Sequence, residues 1–99
     1  MTSEYEIFLQ ETNGVGQNFM DMVMKSSECS ALDRKTQELA YIAVLTAIRL
    51  TKGIDFHVKS AKQLGATKEE IKGAVLVALP AVGIGILEAL EAALKSYDS

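Results

Sequence analysis

The sequence predicts an all-α domain, and three observations carry that prediction. Alanine, leucine, valine and isoleucine are abundant while one proline and no tryptophan occur, a composition that favours helices over a sheet of short strands. Apolar residues return at three- and four-residue spacing along most of the chain. Good capping residues, Asp33 and Thr67, stand just before two of the helical patterns.

Taken in order, Ser3 can cap a first helix that carries Tyr5, Phe8 and Leu9 and ends near Thr12-Asn13-Gly14. A second, from about Val15 to Lys25, places Val15, Phe19, Met22 and Val23 at helical spacing. Of the alternating methionines Met20, Met22 and Met24, one or two are expected to pack inward. Ser26 to Leu32 reads as a loop holding Cys29, and Asp33 caps the next helix, with Leu32 able to staple its first turns. From Arg34 to about Arg49 the chain is apolar on nearly every side, the pattern of a helix surrounded by protein. A chain of 99 residues can hardly enclose such a helix alone, so self-association is expected.

Gly53 to Leu64 is amphipathic, with Ile54, His57, Val58, Ala61 and Leu64 on one face and Asp55, Lys59 and Lys62 away from it. Gly65 stops that helix, and Thr67 with Glu70 forms a capping box for another running to about Leu79, where Pro80 breaks it. The last helix, from near Ala81 to Tyr97, is expected to turn Ile84, Leu87, Leu90, Ala93 and Leu94 inward. No repeat or linker is visible. Residues 1–99 therefore read as one domain, with N-terminal helices and a loop over 1–31 and the part bearing the motifs over 32–97.

The totals exclude several functions. The net charge of −3 comes from interspersed acids and lysines, so no basic stripe exists for nucleic acid. The longest uncharged stretch, Gly73 to Leu87, is fifteen residues interrupted by Pro80 and reads as buried helix rather than a membrane span, which needs roughly twenty. One cysteine permits no internal disulfide, and the N-terminus lacks a secretory pattern, so a cytoplasmic setting is expected. One histidine and one cysteine make no zinc site. Gly83-Ile84-Gly85 lacks the strand and full glycine pattern of a dinucleotide loop and reads as small residues allowing close helix approach.

The side chains suited to chemistry are few. His57, the only histidine, lies on an apolar face and suits proton transfer; the plain alternative is a satisfied core histidine. Glu38, in the first turns of the central helix, can partner it, or can simply favour the helix N-terminus. Arg49 follows Glu38 by eleven residues, close to three whole turns, so a continuous helix would put both on one side, where a guanidinium can bind a carboxylate; otherwise it completes the helix C-terminus. Tyr41, one turn from Glu38, can donate a hydrogen bond or serve as core. Cys29 is a lone thiol, and peroxide reduction by thiols needs a second one to resolve the sulfenic acid.

Glu38, the segment Phe56-His57-Val58-Lys59-Ser60-Ala61 and the turn Gly65-Ala66-Thr67-Lys68-Glu69-Glu70-Ile71 together resemble the carboxymuconolactone decarboxylase and alkyl hydroperoxidase D-like family, over roughly Leu32 to Leu94. Redox members carry Cys-x-x-Cys-x-x-x-His with a glutamate twelve residues before the first cysteine. Glu38 and His57 match the glutamate and histidine, while Leu50 and Gly53 stand where the cysteines would be. The pattern is closer to the decarboxylase branch, whose members also lack the cysteine pair. The resemblance implies an all-helical bundle of about five to six helices, assembling as a homotrimer or homohexamer, with its pocket near subunit contacts. For function it implies a lyase or isomerase without a cofactor, acting on a small organic acid through Glu38 and His57; Arg49 and Tyr41, placed by their helical spacing from Glu38, are the candidate substrate-binding residues. A non-catalytic scaffold or small-ligand binder on the same fold is the alternative, and a peroxidase using Cys29 a weaker one.

Overall fold

The computed structural model describes residues 3–99; the side chain of Ser3, and with it the expected cap of the first helix, lies outside the described residues. Among those described, every regular element is helical: α1 (Ser3–Gln10), α2 (Val15–Glu28), α3 (Arg34–Ala47), α4 (Ile54–Gln63), α5 (Lys68–Leu76), α6 (Leu79–Val82) and α7 (Leu87–Asp98). Single 3-10 turns at Thr51–Gly53 and Gly83–Ile86 lead into α4 and α7. The chain divides into two compact units, residues 1–31 and 32–99.

The first unit is a helical hairpin. The rings of Phe8 and Phe19 meet edge to face at 5.6 Å. The Thr12 hydroxyl donates to the Phe8 carbonyl and accepts from the Gly16 N–H, tying the turn to both helices. The helix α2 runs three residues beyond the expected Lys25, and Cys29 caps it by donating its backbone N–H to the Lys25 carbonyl. Ser26 to Glu28 is thus helix rather than loop, because nothing in those residues breaks the hydrogen-bond ladder. Met20 is half-buried, whereas Met22 and Met24 are exposed with Tyr5, Ile7 and Val23.

The second unit is a four-helix ring. The helix α3 packs on α4 and α5, and α7 packs on the same two from the opposite side. Its interior is Ile42 and Leu45 from α3, Ile54, Val58 and Ala61 from α4, Ile71, Ala74 and Val75 from α5, and Ala89 and Ala93 from α7. Asp33 caps α3 by accepting from the Thr36 N–H at 2.8 Å. Thr67 and Glu70 form the expected reciprocal box at the start of α5. Glu70 also takes the Lys35 ammonium at 3.0 Å, joining α5 to α3. The Thr67 N–H and Lys35 hold the Glu70 carboxyl below the ordinary glutamate range, and the Thr36 N–H does the same for Asp33.

Two helix ends share one geometry with different residues. After α4, Gly65 sits at φ +96° while its N–H reaches the Lys62 carbonyl and the Ala66 N–H reaches Ala61. After α3, the N–H groups of Arg49 and Leu50 bond Thr46 and Leu45 in the same pattern, with Arg49 at φ +60°. Both are Schellman closures, and glycine is the residue that adopts the left-handed position without strain. The central helix therefore stops at Ala47, two residues before Arg49.

The C-terminal third departs most from expectation. The helix α5 ends at Leu76, and Pro80 lies inside the first turn of α6, where a missing N–H costs nothing. Gly83, at φ +73°, and the 3-10 turn after it reset the helical phase. The inward residues become Ile86, Ala89, Ala93 and Ser96, with Leu90 and Leu94 half-buried, while Ile84 is 80% exposed and Leu87 also faces out. Leu64, expected inward, is exposed too. By length and composition the helical run Lys68–Asp98 is apolar enough to cross a membrane; its inward residues here line the ring's interior.

The end of α7 is fastened by polar contacts. The Tyr97 hydroxyl donates to the Ala66 carbonyl at 2.9 Å, and Lys62 donates to the Tyr97 carbonyl. The buried Ser96 hydroxyl donates to Asp55 at 2.6 Å, holding that carboxyl below its usual range, with Lys59 adding to the effect. If the box sets the start of α5, Thr67→Ala should lower stability by about 1 kcal/mol, read as a shift in the urea midpoint. An unshifted midpoint would show that the packing of Ile71 alone fixes that turn.

Candidate functional site

The candidate site lies on the seam between α3 and α4. Ile54, Val58 and Ala61 are fully buried and form the inward stripe of α4, and His57 stands at that stripe's edge. Glu38 occupies the second turn of α3, followed one turn later by Tyr41 and Ile42. Packing of α3 on α4 brings the two together: Glu38 Oε2 lies 2.7 Å from His57 Nδ1. Both side chains are mostly enclosed, with 22% and 24% of their surface exposed.

With Glu38 ionised, the contact favours one tautomer. An ionised carboxylate only accepts, so Nδ1 carries the proton and donates it to Glu38. Nε2 then carries the lone pair. No protein group bonds it among the described residues, and no buried side-chain nitrogen or oxygen there lacks a partner, so Nε2 opens to the outside. Such an arrangement can serve an oriented general base, since a carboxylate behind an imidazole stabilises an imidazolium.

Two aromatic rings complete the site. Tyr41 meets the imidazole at 4.4 Å between centroids and 60° between planes, and Phe56 meets it at 5.1 Å and 79°. Tyr41 was expected near Glu38. Phe56 carries no site signal in the sequence beyond its place directly before the histidine, so its contact with the imidazole comes from the structure alone. Asp55, two residues before His57, faces the other way, toward Ser96 and Lys59, so its charge is occupied on α7's side of the helix.

Arg49 has a different setting. Its left-handed backbone turns it out of the line of α3, and its guanidinium lies against Gly85, where a Cβ would come within 2.4 Å of Nη2. A side chain at Gly85 would push the flexible end of Arg49 aside. With Thr46, Thr51, Glu88 and Ala89 these residues line a cavity of about 70 Å³. Cys29 is exposed at the end of α2. Leu50 is half exposed, and Leu45 fills the space beside Gly53. A larger open groove of about 510 Å³ runs along another face of α3, lined by Thr36, Leu39, Ala40, Ala43, Glu70, Ala74 and Val77, and includes neither Glu38 nor His57. No cluster of three metal-binding side chains occurs among the described residues.

The profile of the carboxymuconolactone decarboxylase family matches residues 14–96, most of the chain. The chain belongs to that family. The match takes in α2 as well as the four-helix ring, more than the resemblance read from the motifs alone. A carboxymuconolactone decarboxylase family protein from Legionella pneumophila, solved in its apo form, superposes with a TM-score of 0.85 over 97% of this chain and 86% of its own, at 26% identity. Uncharacterized protein 4 in the cox locus of Paracoccus denitrificans is 35% identical over 74 residues, 71% of this chain and 67% of that protein.

For this carboxymuconolactone decarboxylase family member, the Glu38 contact predicts a measurable tautomer. Ring ¹⁵N shifts of neutral His57 should report a proton on Nδ1 in the wild type, and Glu38→Gln should weaken that preference. Identical ring shifts in the two proteins would mean that Glu38 does not set the tautomer.

Proposed function

We propose that this chain is a cofactor-free lyase or isomerase that moves a proton on a small organic acid, with His57 as the base and Glu38 as its orienting partner. One observation carries the reading: the 2.7 Å Glu38–His57 contact, which leaves Nε2 free to take a proton. In an isomerisation, Nε2 removes a C–H proton, Glu38 stabilises the imidazolium, and a proton from Nε2, exchangeable with solvent through its open side, is delivered to a different carbon. In a decarboxylation, His57 takes a proton from water at Nε2, delivers it to the carbanion left as carbon dioxide departs, and returns to the neutral imidazole. Tyr41 belongs to the reading through its contact with the imidazole. Arg49, packed against Gly85, takes no part in it.

Self-association is part of the proposal. Tyr41, Val44 and Ile48 are exposed along one strip of α3, and Val77, Ile84 and Leu87 are exposed near the C-terminal turns. Single apolar side chains at a surface are ordinary, but grouped ones mark interaction surfaces. A trimer or hexamer is expected in sedimentation at micromolar concentration, and a persistent monomer would remove this part of the proposal. The open apolar groove beside α3 favours a second reading, a small-ligand binder without turnover on the same fold.

The two readings separate in one experiment. A panel of small lactones, keto acids and enones is incubated in D₂O, and hydrogen exchange or loss of carbon dioxide is followed by NMR. His57→Gln is expected to lower any rate found by about 10²–10⁴, the usual contribution of a general base. A rate that survives this change would eliminate the proton-transfer reading.

A further inference from the structure

We propose that Asn13 and Gly14 form a self-modification site, where Asn13 loses its amide nitrogen as ammonia and becomes aspartate or isoaspartate. The proposal stands apart from the proton-transfer reading and uses different residues. The turn Thr12-Asn13-Gly14 joins α1 to α2. Asn13 holds the left-handed conformation at φ +53°, and Gly14 follows at φ +93°. Asparagine tolerates that conformation because its short amide can bond nearby backbone. Here it stays loose: no hydrogen bond holds the exposed Asn13 side chain among the described residues. The turn is closed by the Val15 N–H and the Thr12 carbonyl at 3.1 Å, and the Gly14 N–H within it meets no acceptor among the described residues. A Cβ on Gly14 would find nothing within 4 Å, so the space beside that nitrogen is open.

The reaction needs only water. The Gly14 nitrogen gives up its proton and attacks Cγ of Asn13, forming a C–N bond and a five-membered succinimide. The carboxamide nitrogen takes a proton and leaves as ammonia. Water then opens the ring at either carbonyl, and nothing is oxidised or reduced. Opening at Cγ restores the main chain with aspartate at residue 13. Opening at the main-chain carbonyl routes the chain through the side chain, one carbon longer, as isoaspartate. Asn18, the other asparagine, shows what prevents this. It lies inside α2, and the nitrogen after it, that of Phe19, is held in the helical ladder. The Phe19 ring also rests on Phe8. The consequence falls on the hairpin. The Thr12 hydroxyl bonds the Phe8 carbonyl and the Gly16 N–H, and Gly16 comes so near α1 that a Cβ there would collide with the Phe8 carbonyl. An added main-chain carbon in so tight a turn moves Gly16 off Phe8, so isoaspartate loosens the hairpin. Aspartate instead puts a carboxylate ahead of the α2 N-terminus, where negative charge is favourable.

The test incubates the full chain in warm, mildly alkaline buffer and follows the peptide holding both asparagines by mass spectrometry, with fragmentation to assign the position. Residue 13 is expected to gain the mass difference between an amide and an acid, with isoaspartate exceeding aspartate by a few-fold, while Asn18 stays intact. Asn13→Gln should remove the gain over the same period, because its ring would need six members and closes far more slowly. No gain at residue 13, or an equal gain at Asn18, would overturn the proposal. Aspartate without isoaspartate would overturn the attack by Gly14, since direct hydrolysis of the carboxamide leaves the main chain alone. The isoaspartate form, separated by chromatography, should be cut by protease within α1 and α2 several-fold faster than fresh protein. Equal rates would overturn the loosening of the hairpin.

Discussion

Close packing of α4 against α3 is the constraint on which the rest of residues 32–99 depends. The stripe Ile54, Val58 and Ala61 is fully buried, and close-packed interiors permit little sliding or rotation. A rotation of α4 that preserved helicity would still expose that stripe. Because His57 sits at the stripe's edge, its direction is set by the same burial, without any bond of its own. The hydrogen bond to Glu38 is then a consequence of the packing. Its net contribution to stability as a partly exposed pair is small, about 1 kcal/mol or less, so it is too weak to place the helices.

The polar contacts divide along the same line. Asp55 and His57, two residues apart on α4, face roughly opposite sides of the helix. One binds Ser96 and Lys59, and the other binds Glu38. The first contact fastens α7 and uses up a carboxylate that would otherwise oppose a substrate. The second leaves a nitrogen open. The fastening of α7 and the Glu38–His57 contact thus occupy separate faces, and the helix ends carry the remaining order through Asp33, Thr67, Glu70 and Gly65.

Those helix ends are where the sequence was most legible, because each rests on local chemistry. Asp33, the Thr67–Glu70 box and Gly65 behave as their residue types demand. The meeting of Glu38 and His57 was legible only through a family motif, since no periodicity tells which face of one helix meets which face of another. Three features were hidden for physical reasons. Arginine at a left-handed closure has no sequence signal, so α3 was read two residues too long and Arg49 placed on Glu38's side. A 3-10 turn after Gly83 changes the phase, so Ile84 and Leu87 were turned inward when Ile86 and Ala89 are. Phe56 looked like an ordinary apolar residue of an amphipathic helix, and only its ring contact with His57 marks it.

The positions where the family's redox motif would place cysteines lie apart from the Glu38–His57 contact. Leu50 and Gly53 lie in the connection between α3 and α4, and the space beside Gly53 is filled by Leu45 from the core. That connection lies outside the buried stripe of α4, so its residues can change without turning His57. Glu38, in turn, is held by α3, whose inward residues Ile42 and Leu45 pack wherever the ring closes. A dithiol and a Glu–His pair thus depend on different parts of the fold, one on a short turn and the other on the seam. With Leu50 and Gly53 in that turn no thiol stands there, while the seam independently holds Glu38 against His57.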